Sequence, residues 1–238
     1  MTADGHTGKG YLAIVTARAG SKRLPGKNVR DLCGKPLFVW SVASALDCPE
    51  IARVIVTTDS REYQSIAREA GADCPWLRDA ALAADSSTSA DVVRDVLDRL
   101  GAESATYKGL VLLQPTSPLR TAADISAAIA LRESHGASAV VSVSEAECPP
   151  AWVGRIPENL CMDGFRSSAP AGNAGGGTWW RLNGAVYVIG IADFLSAHDF
   201  MPQGTLAYQM PRERSVDVDT EFDLELARLL MSRNRRGS

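Results

Sequence analysis

Tyr11-Leu12-Ala13-Ile14-Val15-Thr16 runs straight into Ala17-Arg18-Ala19-Gly20-Ser21-Lys22-Arg23-Leu24-Pro25-Gly26-Lys27-Asn28, and this junction decides the reading of the chain. An apolar run that opens into a glycine-bearing loop rich in lysine and arginine is how α/β proteins hold a polyphosphate. Gly20 and Gly26 allow the backbone to approach an anion and turn its N–H groups inward. Arg18, Lys22, Arg23, Lys27 and Arg30 supply positive charge with no acid among them. The plain alternative is a solvated basic turn. Pro25 and two glycines set between the charges, directly after a strand-like run, favour the phosphate loop.

Outward from this junction, apolar runs alternate with amphipathic segments. Helices are expected over Pro36–Leu46, Arg61–Ala70 (closed by Gly71), from just after Ser86-Ser87-Thr88-Ser89 through about Leu100, and over Ala122–Ser134, and strands over Tyr11–Ala17, Arg53–Asp59, Gly109–Leu113 and Ala139–Val143. This succession predicts an α/β fold, a single-domain mostly parallel sheet with helices on both faces. Ligands in such sheets lie beyond the carboxyl ends of the strands, where the Arg18 loop falls. The rhythm breaks between Glu145 and Gly177, a stretch with four prolines and the run Gly175-Gly176-Gly177. A loop of that length is functional or mobile. Trp179–Ile189 then reads as a long strand, Ser215–Asp219 as strand-like, and Glu221–Met231 as a final helix. The expected organisation is a disordered tail (1–10), one domain (11–231) with an excursion at 145–178, and a basic tail (232–238). Gly5-His6-Thr7-Gly8-Lys9-Gly10 lacks P-loop spacing and precedes the first strand.

With 238 residues, 45% of them hydrophobic, the chain can bury one substantial core. A net charge of −3 makes the basic loop a local anion site and argues against a nucleic-acid partner. No apolar run approaches the roughly 20 residues of a membrane span, and no leader-like segment opens the sequence, so a cytoplasmic protein with no membrane partner is expected. Cys33, Cys48, Cys74, Cys148 and Cys161 are scattered without a C-x-x-C pair, which fits reduced thiols.

Asp217-Val218-Asp219 places two carboxylates on one face of an extended segment. Two such oxygens, completed by phosphate and water, suit Mg²⁺. The competing reading is a solvated edge, with Asp219 or Thr220 capping the last helix.

The basic loop resembles the A-R-x-x-S-K-x-L-P-x-K-N signature of the acylneuraminate cytidylyltransferases, the CMP-sialic acid synthetases, which activate an acidic keto-sugar with CTP. Ser215-Val216-Asp217-Val218-Asp219-Thr220-Glu221-Phe222-Asp223-Leu224 is similar to the family segment whose aspartates hold the catalytic metal. Gln114-Pro115-Thr116-Ser117-Pro118-Leu119-Arg120 resembles the family's Q-P-T-S-P-L-R, and Arg181-Leu182-Asn183-Gly184-Ala185-Val186-Tyr187 its R-x-N-G-A-I-Y strand. The resemblance implies nucleotide binding by Arg18, Ser21, Lys22, Lys27, Asn28, Arg78, Ser87 and Ser89. It implies acceptor contacts from Gln114, Arg181, Asn183 and Tyr187, and catalytic roles for Arg18, Lys27, Asp217 and Asp219, the last two holding Mg²⁺. Without it, Gln114–Arg120 reads as a βα turn capped by Thr121, Ser87 and Ser89 as part of a helix cap, and Tyr187 as core.

The resemblance covers residues 11–144 and 179–231. Between them, the arginine-glutamine pair typical of sialate-activating members is missing: Ser168–Gly177 carries no basic residue. The expected reaction is CTP plus a sialic-acid-like 3-deoxy-2-ulosonic acid giving a CMP-sugar and pyrophosphate. The alternatives are another small acid such as a phosphonate, a sugar or alcohol phosphate, a D-x-D glycosyltransferase, or a protein that binds CTP without turnover. A homodimer built through the 145–178 region, with Trp152, Trp179 and Trp180 at the interface, is the expected assembly.

Overall fold

A computed structural model describes residues 9–84, 86–154, 156, 158–162 and 177–236, with residues 234–236 described by backbone alone. Residues 1–8 of the expected tail, Asp85, Arg166 and the Ser168–Gly176 part of the altered stretch lie outside the described residues.

Six strands form the main sheet: β1 (Lys9–Thr16), β4 (Ile51–Thr57), β5 (Tyr107–Leu113), β6 (Ala139–Glu145), β7 (Trp180–Ile189) and β8 (Leu206–Gln209), in the order β4-β1-β5-β7-β6-β8. A short ribbon, β2 (Asp31–Leu32) with β3 (Lys35–Pro36), turns through Cys33 and Gly34, both at positive φ (52° and 88°), the geometry of a tight hairpin. Six helices accompany the strands: α1 (Leu37–Leu46), α2 (Arg61–Glu69), α3 (Ser89–Leu100), α4 (Ala122–His135), α5 (Ile191–Ala197) and α6 (Glu221–Arg236). β1 begins at Lys9, inside the segment expected to be tail, and α6 runs into the segment expected to be a basic tail.

Period-two alternation explains the layers. Tyr11, Ala13 and Val15 point to the face covered by Phe38 of α1, Tyr63 of α2 and Ile125 of α4. Leu12 and Ile14 point to the other, covered by Val93 and Val96 of α3 and Phe194 of α5. Helices thus cover both faces. The sheet is parallel across β4, β1 and β5, and β7 runs antiparallel between β5 and β6. The chain moves from β1 to β4 on one side and returns to β5 on the other, which opens a crevice at the carboxyl end of β1.

Ser215–Asp219 forms no ladder, contrary to the strand-like expectation. It is held by backbone bonds from Val218 N–H to Thr116 C=O (2.8 Å) and from Ser215 N–H to Arg212 C=O (3.0 Å), and by burial of Val218. Val218 packs in a third apolar cluster with Leu24 of the basic loop, Leu119, and Leu224 of α6. A valine buried between two aspartates turns both carboxylates away from the core.

Candidate active site

β1, β4 and β5 end side by side, and the chain beyond them walls a cleft of about 590 Å³. The basic loop contributes Arg18, Ser21, Lys22, Lys27 and Asn28. The segment between β4 and α3 contributes Arg78, Ser87 and Ser89, with Leu82 and Val92 as an apolar patch. Gln114 enters after β5, and Asp217 and Asp219 close the far side. Most of the residues singled out from sequence therefore meet in one place.

The loop is fixed from within. Ala19 N–H donates to Asp59 Oδ1 (2.9 Å) and Asn28 Nδ2 to Arg18 C=O (2.8 Å). Gly26 adopts φ 63°, a left-handed conformation that starts the turn Lys27–Val29. At Gly20 a Cβ would meet no protein atom within 4 Å, so packing within the protein does not itself demand glycine there. Asn28 is 3% exposed, and its Oδ1 has no hydrogen-bond partner among the described residues. Arg18 Nη1 donates to Ala83 C=O (3.3 Å). Arg30 pairs with Glu221, does not line the cleft, and leaves the set of phosphate-facing charges.

Arg78 is buried, donating from Nη2 to Thr57 C=O (2.5 Å) and from Nε to Thr57 Oγ1 (3.2 Å). Loss of solvation lowers its pKa to about 10, which leaves it charged at neutral pH. Ser87 donates to Ala81 C=O (2.8 Å), Thr88 rather than a serine caps α3, and Ser89 is the first residue of that helix. The start of α3 thus faces the cleft with its N-terminal partial positive charge.

Asp219 is clasped by Lys27 Nζ at Oδ1 and Arg23 Nη2 at Oδ2, both at 2.7 Å. Capping of α6 falls to Thr220, with Asp223 accepting from the Thr220 N–H (2.8 Å) and hydroxyl (2.7 Å), so Asp219 is left to the cleft. The Asp217 carboxyl is held above the usual carboxylate range, first by lost solvation and then by the Asp219 charge, against a Thr116 hydrogen bond that lowers it. Two carboxylates side by side at a cleft lined by basic residues fit a hard divalent cation. Among the described residues no group of three or more His, Cys, Asp or Glu could hold a metal, so water and phosphate oxygens would complete the shell, as Mg²⁺ accepts.

The expected acceptor residues divide. Gln114 lies in the cleft with its Oε1 against Gly184, where a Cβ would approach to 2.6 Å. Arg181 lies instead in an adjoining hollow of about 330 Å³ that shares Asp217 with the cleft and also contains Arg212 and Glu147. Asn183 is not placed for a substrate. It is 2% exposed, its Oδ1 accepts from Ser142 Oγ (2.6 Å) and Ala185 N–H (3.1 Å), and its Nδ2 donates to Ser215 Oγ (2.9 Å). These bonds sit where the β6–β7 register shifts, and they tie the strand to Ser215 ahead of Asp217. Tyr187 does not line the cleft; it packs edge-on against Phe200 at 5.6 Å, and burial, then the Asp217 charge, raises its pKa.

Sequence reasoning missed Arg23 and Thr116 as partners of the two aspartates, and Asp59 as the anchor of the loop. Their only signal was adjacency to the motifs. No helix of the described residues is long and apolar enough to cross a membrane.

A family model described as cytidylyltransferase matches residues 12–151. The chain is 34% identical over 234 residues to the CMP-N,N'-diacetyllegionaminic acid synthase of Legionella pneumophila, covering 94% of this chain and 97% of the relative. It is 32% identical over 226 residues to the N-acylneuraminate cytidylyltransferase of Escherichia coli, covering 94% of this chain but 53% of the longer relative. A CMP:2-keto-3-deoxy-manno-octonic acid synthetase solved with CTP superposes with a TM-score of 0.69 at 19% identity, covering 94% of this chain and 99% of that one, which speaks for the fold.

Proposed function

The chain belongs to the cytidylyltransferase family, and from that premise we propose that it transfers CMP from CTP to a sialic-acid-like 3-deoxy-2-ulosonic acid, releasing pyrophosphate. The observation that carries the reading is the meeting of the basic loop, Gln114 and the Asp217–Asp219 pair around one cleft. The anomeric hydroxyl attacks the α-phosphorus and the bond to the pyrophosphate oxygen breaks. Arg18, Lys22 and Lys27 take up charge on the β- and γ-phosphates, and Arg78, Ser87 and Ser89 border the nucleoside. Nucleotide binding draws Lys27 and Arg23 from Asp219 toward phosphate oxygens. Mg²⁺ on Asp217 and Asp219 would supply charge neutralisation at the α-phosphate and leaving oxygen. Positioning and fixed charge then carry the rate, as in other phosphoryl transfers.

The acceptor is favoured to be a relative of legionaminate over N-acetylneuraminate, because a relative 34% identical and matched over 97% of its length bears that name and Ser168–Gly177 lacks a basic residue. We place the protein in the cytoplasm, where CTP is made available, and read it as a homodimer. Trp152 (68% exposed), Val153, Ile156 and Leu160 are exposed apolar residues of the excursion, of the kind a second copy would cover. A pyrophosphate-release screen with CTP, Mg²⁺ and a panel of keto-acids tests the reading: release with one or more acids supports it, and none with any acid removes it.

A further inference from the structure

We propose that Arg120 is a positioning residue for the acceptor, holding Gln114 in place without touching either substrate; this rests on the cytidylyl-transfer reading above. Arg120 is buried, and its four hydrogen bonds all go to neutral oxygens. Nε donates to Ala185 C=O (2.7 Å), Nη1 to Ser44 Oγ (2.9 Å), and Nη2 to Ser41 Oγ (3.1 Å) and Gln114 C=O (2.8 Å). A buried charge that hydrogen-bonds to no carboxylate, with the Asp124 charge acting on it only through space, is a costly way to fill space, and an apolar side chain would pack there more cheaply. Packing alone therefore leaves this residue unexplained.

The bonds tell what it holds. They join α1, through Ser41 and Ser44, to β7, through Ala185, and to the loop that carries Gln114. The Gln114 carbonyl also accepts from Ser41 Oγ (3.1 Å), so its backbone is gripped twice. On the opposite side, β7 passes through Gly184 at φ +73°, one residue before the Ala185 that Arg120 holds, and its bare backbone seats the Gln114 amide. Arg120 thus sets the spacing between the Gln114 main chain and the glycine its side chain rests against. A planar guanidinium can hold two carbonyls and two hydroxyls in one fixed geometry, which a lysine ammonium cannot. The nucleotide-facing residues make no bond to Arg120, so its effect should fall on the acceptor.

The test compares Arg120→Lys, Ser41→Ala and Gly184→Ala with the wild-type protein, measuring CTP affinity by calorimetry, acceptor KM and kcat separately, and the thermal midpoint. Arg120→Lys should lower acceptor kcat/KM by roughly 10- to 100-fold with the CTP Kd unchanged. Ser41→Ala, a change small enough to keep the fold, should show the same selective loss in weaker form, and Gly184→Ala, which displaces Gln114 directly, should reproduce it. Wild-type acceptor kinetics in folded Ser41→Ala and Arg120→Lys would overturn the inference. So would losses shared equally between CTP and acceptor and tracking the thermal midpoint, since that is what a merely structural residue produces. Absence of pyrophosphate release from the wild-type protein with every keto-acid would instead remove the underlying reading, and this inference with it.

Discussion

Lys27 Nζ stands 2.7 Å from Asp219 Oδ1, joining the basic loop after β1 to the acidic segment before α6 across 192 positions of sequence. Triphosphate and carboxylate compete for that ammonium. Lys27→Met should weaken CTP binding by about 1.5–3 kcal/mol, the range for a hydrogen bond to a charged group, or roughly 10- to 100-fold in Kd. Calorimetric titration checks this, and an unchanged Kd would place the phosphates elsewhere.

Asp217→Asn and Asp219→Asn should each leave the fold intact and lower kcat on the order of a thousandfold. Steady-state rates with and without excess EDTA provide the check. Full activity in either variant, or in EDTA, would reduce the pair to a structural role.

Asp124 gives the acid limit of stability. Burial raises its pKa, but the Arg214 hydrogen bonds (2.8 and 3.0 Å) and the Thr121 cap outweigh this, and the net shift is downward. A lowered carboxylate pKa contributes stability that is present above the ordinary value of about 3.9 and is lost as pH falls through the folded value. Asp124→Asn should therefore cost about 1.5–3 kcal/mol at pH 7 and little at strongly acidic pH. Denaturant unfolding at the two pH values measures it; an equal loss at both would mean that the charge is not the cause.

N-acetylneuraminate should be a poor acceptor beside other keto-acids, by roughly 10- to 100-fold in kcat/KM, the size of one missing charge-assisted contact. Side-by-side kinetics decide. If N-acetylneuraminate comes out best, a basic residue such as Arg181 already supplies the contact.

Much of this was legible in the sequence because it depends on periodicity and local chemistry. Leu12 and Ile14 alternate with Tyr11, Ala13 and Val15 onto two cores, as period two requires. Thr121 caps α4 with Asp124 three residues on, as the capping pattern implies. Strand direction left no such trace: β7 has the same apolar pattern whether parallel or antiparallel, and β8 is only four residues long. Asn183 was misread for a related reason. Its neighbours in a motif suggest a ligand contact, but its burial is set by Ser142 and Ser215, each more than 30 residues away in sequence. Arg120 escaped notice because its partners come from three elements that only the fold assembles.

The protein should run as a dimer in light scattering at micromolar concentration, with Trp152→Ser or Leu160→Ser shifting it toward monomer. A monomer mass for the wild-type chain would leave these exposed apolar residues without their expected cover.

Isotope transfer tests the central claim most directly. A keto-acid carrying ¹⁸O at the anomeric hydroxyl is incubated with CTP, Mg²⁺ and the protein, and both products are weighed by mass spectrometry. Attack of that hydroxyl on the α-phosphorus predicts a CMP-sugar that retains the label and a pyrophosphate that carries none. Unconsumed CTP, label in the pyrophosphate, or a CMP product without the label would contradict the account.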